Sequence, residues 1–222
     1  MKTKYYVMFI LASIIFTGCG LLFNSKDILV SIDEETKEYC LFEMGSYWIY
    51  QDSATLEYDS IFILNTVEKH PENAQNMRTG KSTYEFEEIW MYGYIAGAYD
   101  TLRQFYMRIT TAFEENGTNT NHIAKPTLCL LNYEGMSSVY YHNGTIGEQY
   151  LGIYFMDSIS EIYLNDNVYF YVKQFEEIEP TNVKTYYISK NVGLIRIETQ
   201  DGEQRTVKNL IRYNIVQHNQ NN

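Results

Sequence analysis

Asp201-Gly202-Glu203-Gln204-Arg205-Thr206-Val207-Lys208-Asn209-Leu210-Ile211-Arg212-Tyr213-Asn214-Ile215 decides the fold class. Asp-Gly supplies the positive-φ residues of a tight hairpin turn. The residues after it run with period two: Val207, Asn209, Ile211, Tyr213 and Ile215 share one side of a strand, and Lys208, Arg212 and Asn214 the other. Val168, Phe170 and Val172 alternate with Tyr169, Tyr171 and Lys173 in the same way. Asn143-Gly144 is a second strong turn, and Asn165-Asp166-Asn167 and Asn116-Gly117 are weaker ones. Strands are expected to start near Ser46, Tyr58, Thr83, Thr101, Thr127, Ser137, Glu148, Ser158, Val168, Lys184, Leu194 and Thr206. Twenty-two Tyr and 11 Phe against 3 Pro suit such pleated, half-buried surfaces. Lys69 to Ser82 and Glu114 to Lys125 read as polar loops, and no amphipathic helix of more than three turns stands out. The expectation is one all-β antiparallel domain over 40–216.

The start of the chain has a different character. Lys2 and Lys4 precede an apolar run from Tyr5 to Phe16, which has the length of a secretory h-region and is too short to span a bilayer. Phe16-Thr17-Gly18-Cys19 then resembles the lipobox of bacterial lipoproteins, in which the Cys thiol is acylated and the segment before it is removed. That resemblance implies a signal peptide over 1–18, palmitate-type acylation at Cys19 and attachment to a membrane through the acyl chains. Each buried methylene contributes about 0.8 kcal/mol, and two or more chains hold stably. Residues 19–39 read as the lipidated Cys and a tether, with Ile28-Leu29-Val30 as a stretch that could dock, and 217–222 as a frayed polar tail.

The formal charge of −11 becomes −13 when Lys2 and Lys4 leave with the signal segment. So acidic a body is repelled by phosphate backbones, which argues against nucleic acid as a partner. With Cys19 acylated, Cys40 and Cys129 remain. An oxidising compartment would permit a bridge between them. Their apolar neighbours, Leu41-Phe42 and Leu128 with Leu130-Leu131, favour buried free thiols instead.

Two further stretches carry a family likeness. Gly45-Ser46-Tyr47-Trp48-Ile49-Tyr50 followed by Asp59-Ser60-Ile61, and Tyr186-Tyr187-Ile188-Ser189-Lys190-Asn191-Val192-Gly193-Leu194-Ile195, resemble the opening and closing motifs of Bacteroidetes envelope lipoproteins that have no assigned activity. Glu43 stands where those proteins usually have Pro. The resemblance implies a single antiparallel, partly curled sheet or half-barrel of about eleven to twelve strands and an envelope location. It implies no reaction. Gly193 is then expected to be a positive-φ or bulge residue and Trp48 a core anchor with its indole N–H satisfied.

No catalytic constellation emerges. His70, His122, His142 and His218 are isolated from one another and from Cys, so no zinc spacing is present. Gly135-Met136-Ser137-Ser138-Val139 lacks the last glycine of a nucleophile elbow, and Gly93-Tyr94-Ile95-Ala96-Gly97 lacks the Lys of a phosphate loop. Glu85, Glu87 and Glu88, and Glu176, Glu177 and Glu179, are the acidic clusters that could hold a glycosidase pair, although strand alternation assigns Glu85 and Glu87 to a solvent face. No cofactor is implied.

The expected function is therefore a non-catalytic binding or structural module of the envelope, facing the periplasm from the outer membrane. Its curled sheet could take an apolar or glycan ligand on an aromatic concave face. An envelope hydrolase with a carboxylate site, or an accessory subunit of an outer-membrane transporter, are the alternatives. Finally, Asp52-Ser53-Ala54, Asp59-Ser60-Ile61, Asp100-Thr101-Leu102 and Asp157-Ser158-Ile159 share one pattern and use four of the chain's eight Asp. They resemble the O-glycosylation sequon of Bacteroidetes periplasmic and surface proteins, which makes Ser53, Ser60, Thr101 and Ser158 candidate glycan sites. Asp followed by a hydroxyl is equally a natural turn into a strand.

Overall fold

The computed structural model describes residues 28–70, 72–73, 84–96, 102–114, 123–133, 139–141, 149–150 and 153–217. In chain order the elements are β1 (Ile28–Val30), α1 (Glu34–Cys40), β2 (Tyr47–Asp52), β3 (Tyr58–Lys69), β4 (Glu72–Asn73), β5 (Tyr84–Phe86), β6 (Glu88–Ala96), β7 (Leu102–Glu114) and β8 (Ile123–Tyr133). They continue with β9 (Val139–Tyr141), β10 (Gln149–Tyr150), β11 (Ile153–Leu164), β12 (Asn167–Ile178), β13 (Asn182–Ser189), β14 (Gly193–Asp201) and β15 (Gln204–Asn214). The chain divides into two units, Met1–Leu29 with Glu72–Glu85, and Val30–Pro71 with Phe86–Asn222. In the smaller one, β4 and β5 pair antiparallel with Glu72 opposite Glu85, in a short sheet ordered β1-β5-β4.

The larger unit is an all-β, antiparallel sheet curled into a half-barrel, ordered β10-β11-β12-β13-β14-β15-β2-β3-β6-β7-β8-β9. Nine strands of eight residues or more form its wall: β3, β6, β7, β8 and β11 to β15. That is fewer than the eleven to twelve expected. The runs near Ser46, Ser137 and Glu148 give only six, three and two residues, because counting turn-bounded runs does not reveal how far each one finds a partner. Register shifts at Phe155/Asp157, Tyr187/Ile188, Leu210/Arg212 and Ile63/Asn65 add local twist, which curls the sheet.

The turns behave as their residues dictate. Asn165, Asn191 and Gly202 have φ of 53°, 61° and 58°, conformations that Asn and Gly adopt with least strain. Gly193 has φ 86° at the start of β14. Its open side is filled by Phe42, whose ring atom Cζ lies 2.8 Å from where a Cβ would stand. Trp48 is buried, as expected, and its Nε1 donates to the Val192 carbonyl at 2.7 Å.

The part of the expected tether nearest the domain is instead folded. Asp33 caps helix α1, its carboxylate accepting from the Thr36 N–H at 2.8 Å and the Thr36 hydroxyl at 2.7 Å, and Glu34 and Glu35 complement the helix dipole in the first turn. Seven residues do not hold a helix in water by themselves, so packing must. Ile32, Thr36, Tyr39, Cys40, Leu41 and Phe42 are all buried, and the apolar ones share one core with Trp48, Tyr50, Met91, Ile109, Phe155, Phe175, Tyr186 and Leu210 of the sheet. Each large apolar side chain buried this way contributes about 1.5–3 kcal/mol. The hollow of the half-barrel is thus filled by the chain's own helix and the Leu41-Phe42 segment. Cys40 is buried in this core.

Candidate functional site

Helix α1 lies across the sheet from one flank to the other, and ion pairs fasten it on both. Toward β12 and β13, Glu35 meets the Nζ of the buried Lys173 at 2.7 Å and Glu38 meets Lys190 at 2.7 Å. The Asn191 N–H donates to the Glu38 carbonyl at 2.7 Å, and the Tyr39 hydroxyl donates to the Tyr171 carbonyl at 2.8 Å. Toward β6, Lys37 meets Glu87 at 3.0 Å, and the other Glu87 oxygen accepts the Ile32 N–H at 2.8 Å. Lys173 also sits 4.9 Å from the centre of the Tyr39 ring, so its charge is held by a carboxylate and an aromatic face together.

Between the helix and the β3–β6 side opens a cleft of about 870 Å³, lined chiefly by Glu34, Glu38, Glu43, Glu68 and Glu87 with Lys37 among them. Five carboxylates against one ammonium draw in cations and turn anions away. The charges are already linked to one another and to their neighbours: Glu34 to Lys37 at 3.3 Å, and Glu68 to His70 at 2.8 Å. Burial pulls the Lys37 ammonium down, but Glu87 and Glu34 outweigh it and raise its pKa above the ordinary 10.5. At Lys190 the hydrogen bond that its ammonium donates to Glu38 is the main cause of a raised pKa. The cleft is built as a clamp that ties α1 to the sheet.

The acidic residues singled out from sequence do not converge. Glu87 is only 6 % exposed, contrary to the solvent face expected for it, because it lies between β5 and β6, where strand alternation stops and the helix covers it. Glu88 is also buried and is gripped by Arg108. Glu177 accepts from the Tyr186 hydroxyl at 2.8 Å. Glu179 accepts from the Asn182 amide at 2.7 Å, and that hydrogen bond, followed by Lys184, lowers its pKa. These two clusters lie at opposite ends of the sheet, at the start of β6 and the end of β12. The apolar concavity expected to take a ligand is occupied: Trp48, Tyr50, Phe155, Tyr169, Phe175 and Tyr186 are buried in the core. Gly93 is a mid-strand residue of β6, opposite Ile63 and Phe105.

Of the candidate glycan sites, Ser53 and Ser158 are exposed and Ser60 is half-buried. Asp52 ends a strand, its carboxylate accepting from the N–H groups of Ala54 at 2.8 Å and Thr55 at 3.0 Å. Asp59 opens β3, and Asp157 sits at the β11 bulge. The shared tripeptide therefore marks a strand exit, a strand entry and a bulge in turn, not a strand entry each time. Cys19, Thr101, Ser137, His122, His142 and His218 lie outside the described residues, as does the Cys129 side chain. The clamp around α1 escaped sequence reasoning because Asp33 to Glu38 has the composition of a solvated linker. Its one legible signal was the capping spacing Asp33-x-x-Thr36 ahead of Tyr39-Cys40-Leu41-Phe42.

No family model matches the chain, and no curated protein does. Among solved structures, a chain provisionally named a lipoprotein, from Parabacteroides distasonis, is similar with a TM-score of 0.43 and 10 % identity, over 79 % of this chain and 99 % of that one. A likeness at that level carries neither an activity nor an anchor across.

Proposed function

We propose that this chain is a lipid-anchored protein of the bacterial envelope whose half-barrel serves as a non-catalytic binding or structural module. The observation that carries the reading is Phe16-Thr17-Gly18-Cys19 behind a basic, apolar leader. The geometry supports it: the first helix after the tether is fastened to both flanks of the sheet, so a pull on the anchor is received by the core. A carboxylate hydrolase is the weaker alternative, because Glu87, Glu88, Glu177 and Glu179 are engaged by Lys37, Arg108, Tyr186 and Asn182 in turn. Acyl chains on Cys19 are the membrane attachment, the outer membrane facing the periplasm is the assigned location, and Ser53 and Ser158 are the sites best exposed for an O-glycan. Replacing Cys19→Ala tests the anchor. Palmitate labelling and detergent partitioning should be lost and uncleaved precursor should accumulate; unchanged labelling overturns the proposal.

A further inference from the structure

The last strand of an open sheet keeps a row of backbone donors and acceptors that no neighbour meets. In the larger unit that row falls on β11. β10, beyond it, is two residues long and pairs only with Ile153 and Tyr154. β12 lines the inner side of β11 as far as Leu164, which stands opposite Asn167. From Asp157 onward the outer side meets no strand among the described residues. The first amide there is taken locally, since the Ser158 N–H donates to the Asp157 carboxylate at 2.7 Å. Ile159 to Tyr163 remain. Alternate residues of an antiparallel strand turn both N–H and C=O away from their partner, so this stretch offers about two or three such residues to a newcomer.

Long edges are usually blunted by Lys, Pro or a bulge. β11 has twelve residues with neither Lys nor Pro, and its bulge at Phe155/Asp157 precedes the open stretch. Its charged residues are Asp157 and Glu161, both exposed. Glu161 stands opposite Phe170 and Tyr163 opposite Val168, so two-residue spacing sets these four on one side of the hairpin. All four are exposed, while Ile162, Leu164 and Tyr169 of the other side pack into the core. The Tyr163 hydroxyl donates to Glu161 at 3.3 Å, and among the described residues no Lys or Arg meets that carboxylate. A free backbone edge thus lies beside a carboxylate without a counter-charge and an exposed aromatic ring. A second copy of this chain suits it poorly, because it brings the same acidic edge and the same formal charge of −11. A basic strand suits it.

We propose that the edge of β11 from Ile159 to Tyr163 takes up an extended, basic segment of a partner protein as an added strand, with Lys or Arg beside Glu161 and an apolar side chain beside Tyr163. Main-chain pairing supplies affinity and the alternate side chains supply selectivity. Opposite charges facing each other across neighbouring strands are favourable and like charges unfavourable, so Glu161 selects the basic segment and turns acidic ones away. This rests on the reading of the half-barrel as a binding module and not on the anchor.

The test is amide hydrogen exchange of the mature chain in detergent micelles, with and without the capped peptide Thr-Lys-Thr-Val-Thr-Lys-Thr-Val. Two control peptides carry Glu in place of Lys, or a methyl group on every amide nitrogen, which keeps the charge and removes the donors. In the free protein, monomeric by scattering, the outward amides between Ile159 and Tyr163 should exchange fast. The Lys peptide should slow them about tenfold or more, and neither control should. Glu161→Lys should lose the Lys peptide and gain the Glu peptide; Glu161→Gln, the milder variant, should weaken the first without gaining the second. Absence of protection overturns the edge. Equal protection by the methylated peptide assigns the effect to charge alone and overturns it, as does protection confined to the Glu34–Glu87 cleft. Slow exchange in the free monomer means that the chain covers its own edge, and slow exchange in a dimer gives the edge to a second copy; both overturn the proposal. Palmitate labelling of Cys19 on the same preparation decides the anchor separately.

Discussion

Gly193→Ala tests the packing of Phe42 against the start of β14. Gly193 has φ 86°, and an L side chain in left-handed backbone costs roughly 1–2 kcal/mol. The added Cβ would stand 2.8 Å from Phe42 Cζ and 3.1 Å from Cε2. Phe42 has little room to yield: it is buried, its ring meets the edge of Trp48 at 4.8 Å and 77°, and Trp48 is itself bonded to the carbonyl of Val192, the residue before Gly193. The contact therefore closes on itself, and overpacking of this kind adds about 1–3 kcal/mol. The expected loss is about 2–5 kcal/mol, which for a domain of this size lowers the melting temperature by about 5–15 °C. Gly202→Ala is the internal standard. Gly202 has φ 58° and nothing within 4 Å of its added Cβ, so only the backbone cost of about 1–2 kcal/mol applies. Urea unfolding followed by fluorescence measures both, and Phe42→Leu in the Gly193→Ala background should recover part of the loss. If Gly193→Ala is no more destabilising than Gly202→Ala, the Phe42 contact is not what holds this corner.

Four further outcomes are expected. Glu87→Ala strands the Ile32 N–H and Lys37 and should cost about 2–4 kcal/mol, against about 0.5 kcal/mol or less for the exposed Glu34→Ala; urea midpoints decide, and equal losses would refute the clamp. Tyr39 and Tyr169 are each raised from 10.0 to about 12, chiefly by burial and secondarily by Glu35 and Glu38 for Tyr39 and by Tyr213 for Tyr169. A raised folded pKa contributes stability that is complete below pH 10 and is lost as pH climbs to about 12, so urea midpoints should hold flat through neutrality and fall across that window, with a smaller fall in Tyr39→Phe. Cys40 should resist thiol reagents in the folded protein, and both Cys40 and Cys129 should titrate on unfolding without reductant; two silent thiols would mean a bridge. Intact-mass spectrometry of native protein should show hexose-sized increments lost in Ser53→Ala or Ser158→Ala, and a mass of polypeptide plus acyl chains alone leaves those residues as turn and bulge formers only.

Strand-and-turn architecture was legible in the chain because its causes are local. Asn165, Gly193 and Gly202 sit where positive φ is needed, and period two between them permits little but antiparallel strands. Which side of each strand faces the core was not legible. In β15 the side carrying Val207, Ile211 and Tyr213 reads as apolar, yet Leu210 is the fully buried residue, and the register shift after it re-aims the side chains from Arg212 onward. In β12 Val168 and Phe170 are exposed while Tyr169 and Lys173 are buried. Tyrosines on both sides of a strand leave its two faces nearly equal in apolar character, so alternation fixes the period and not the sense. Only the assembled sheet breaks that tie, because its hollow holds one helix and one set of partners. Lys173 is buried because Glu35 and the Tyr39 ring come from a distant segment to meet it, and Glu87 because Ile32 and Lys37 do. Such pairings reward residues far apart in the chain, and no local pattern encodes them.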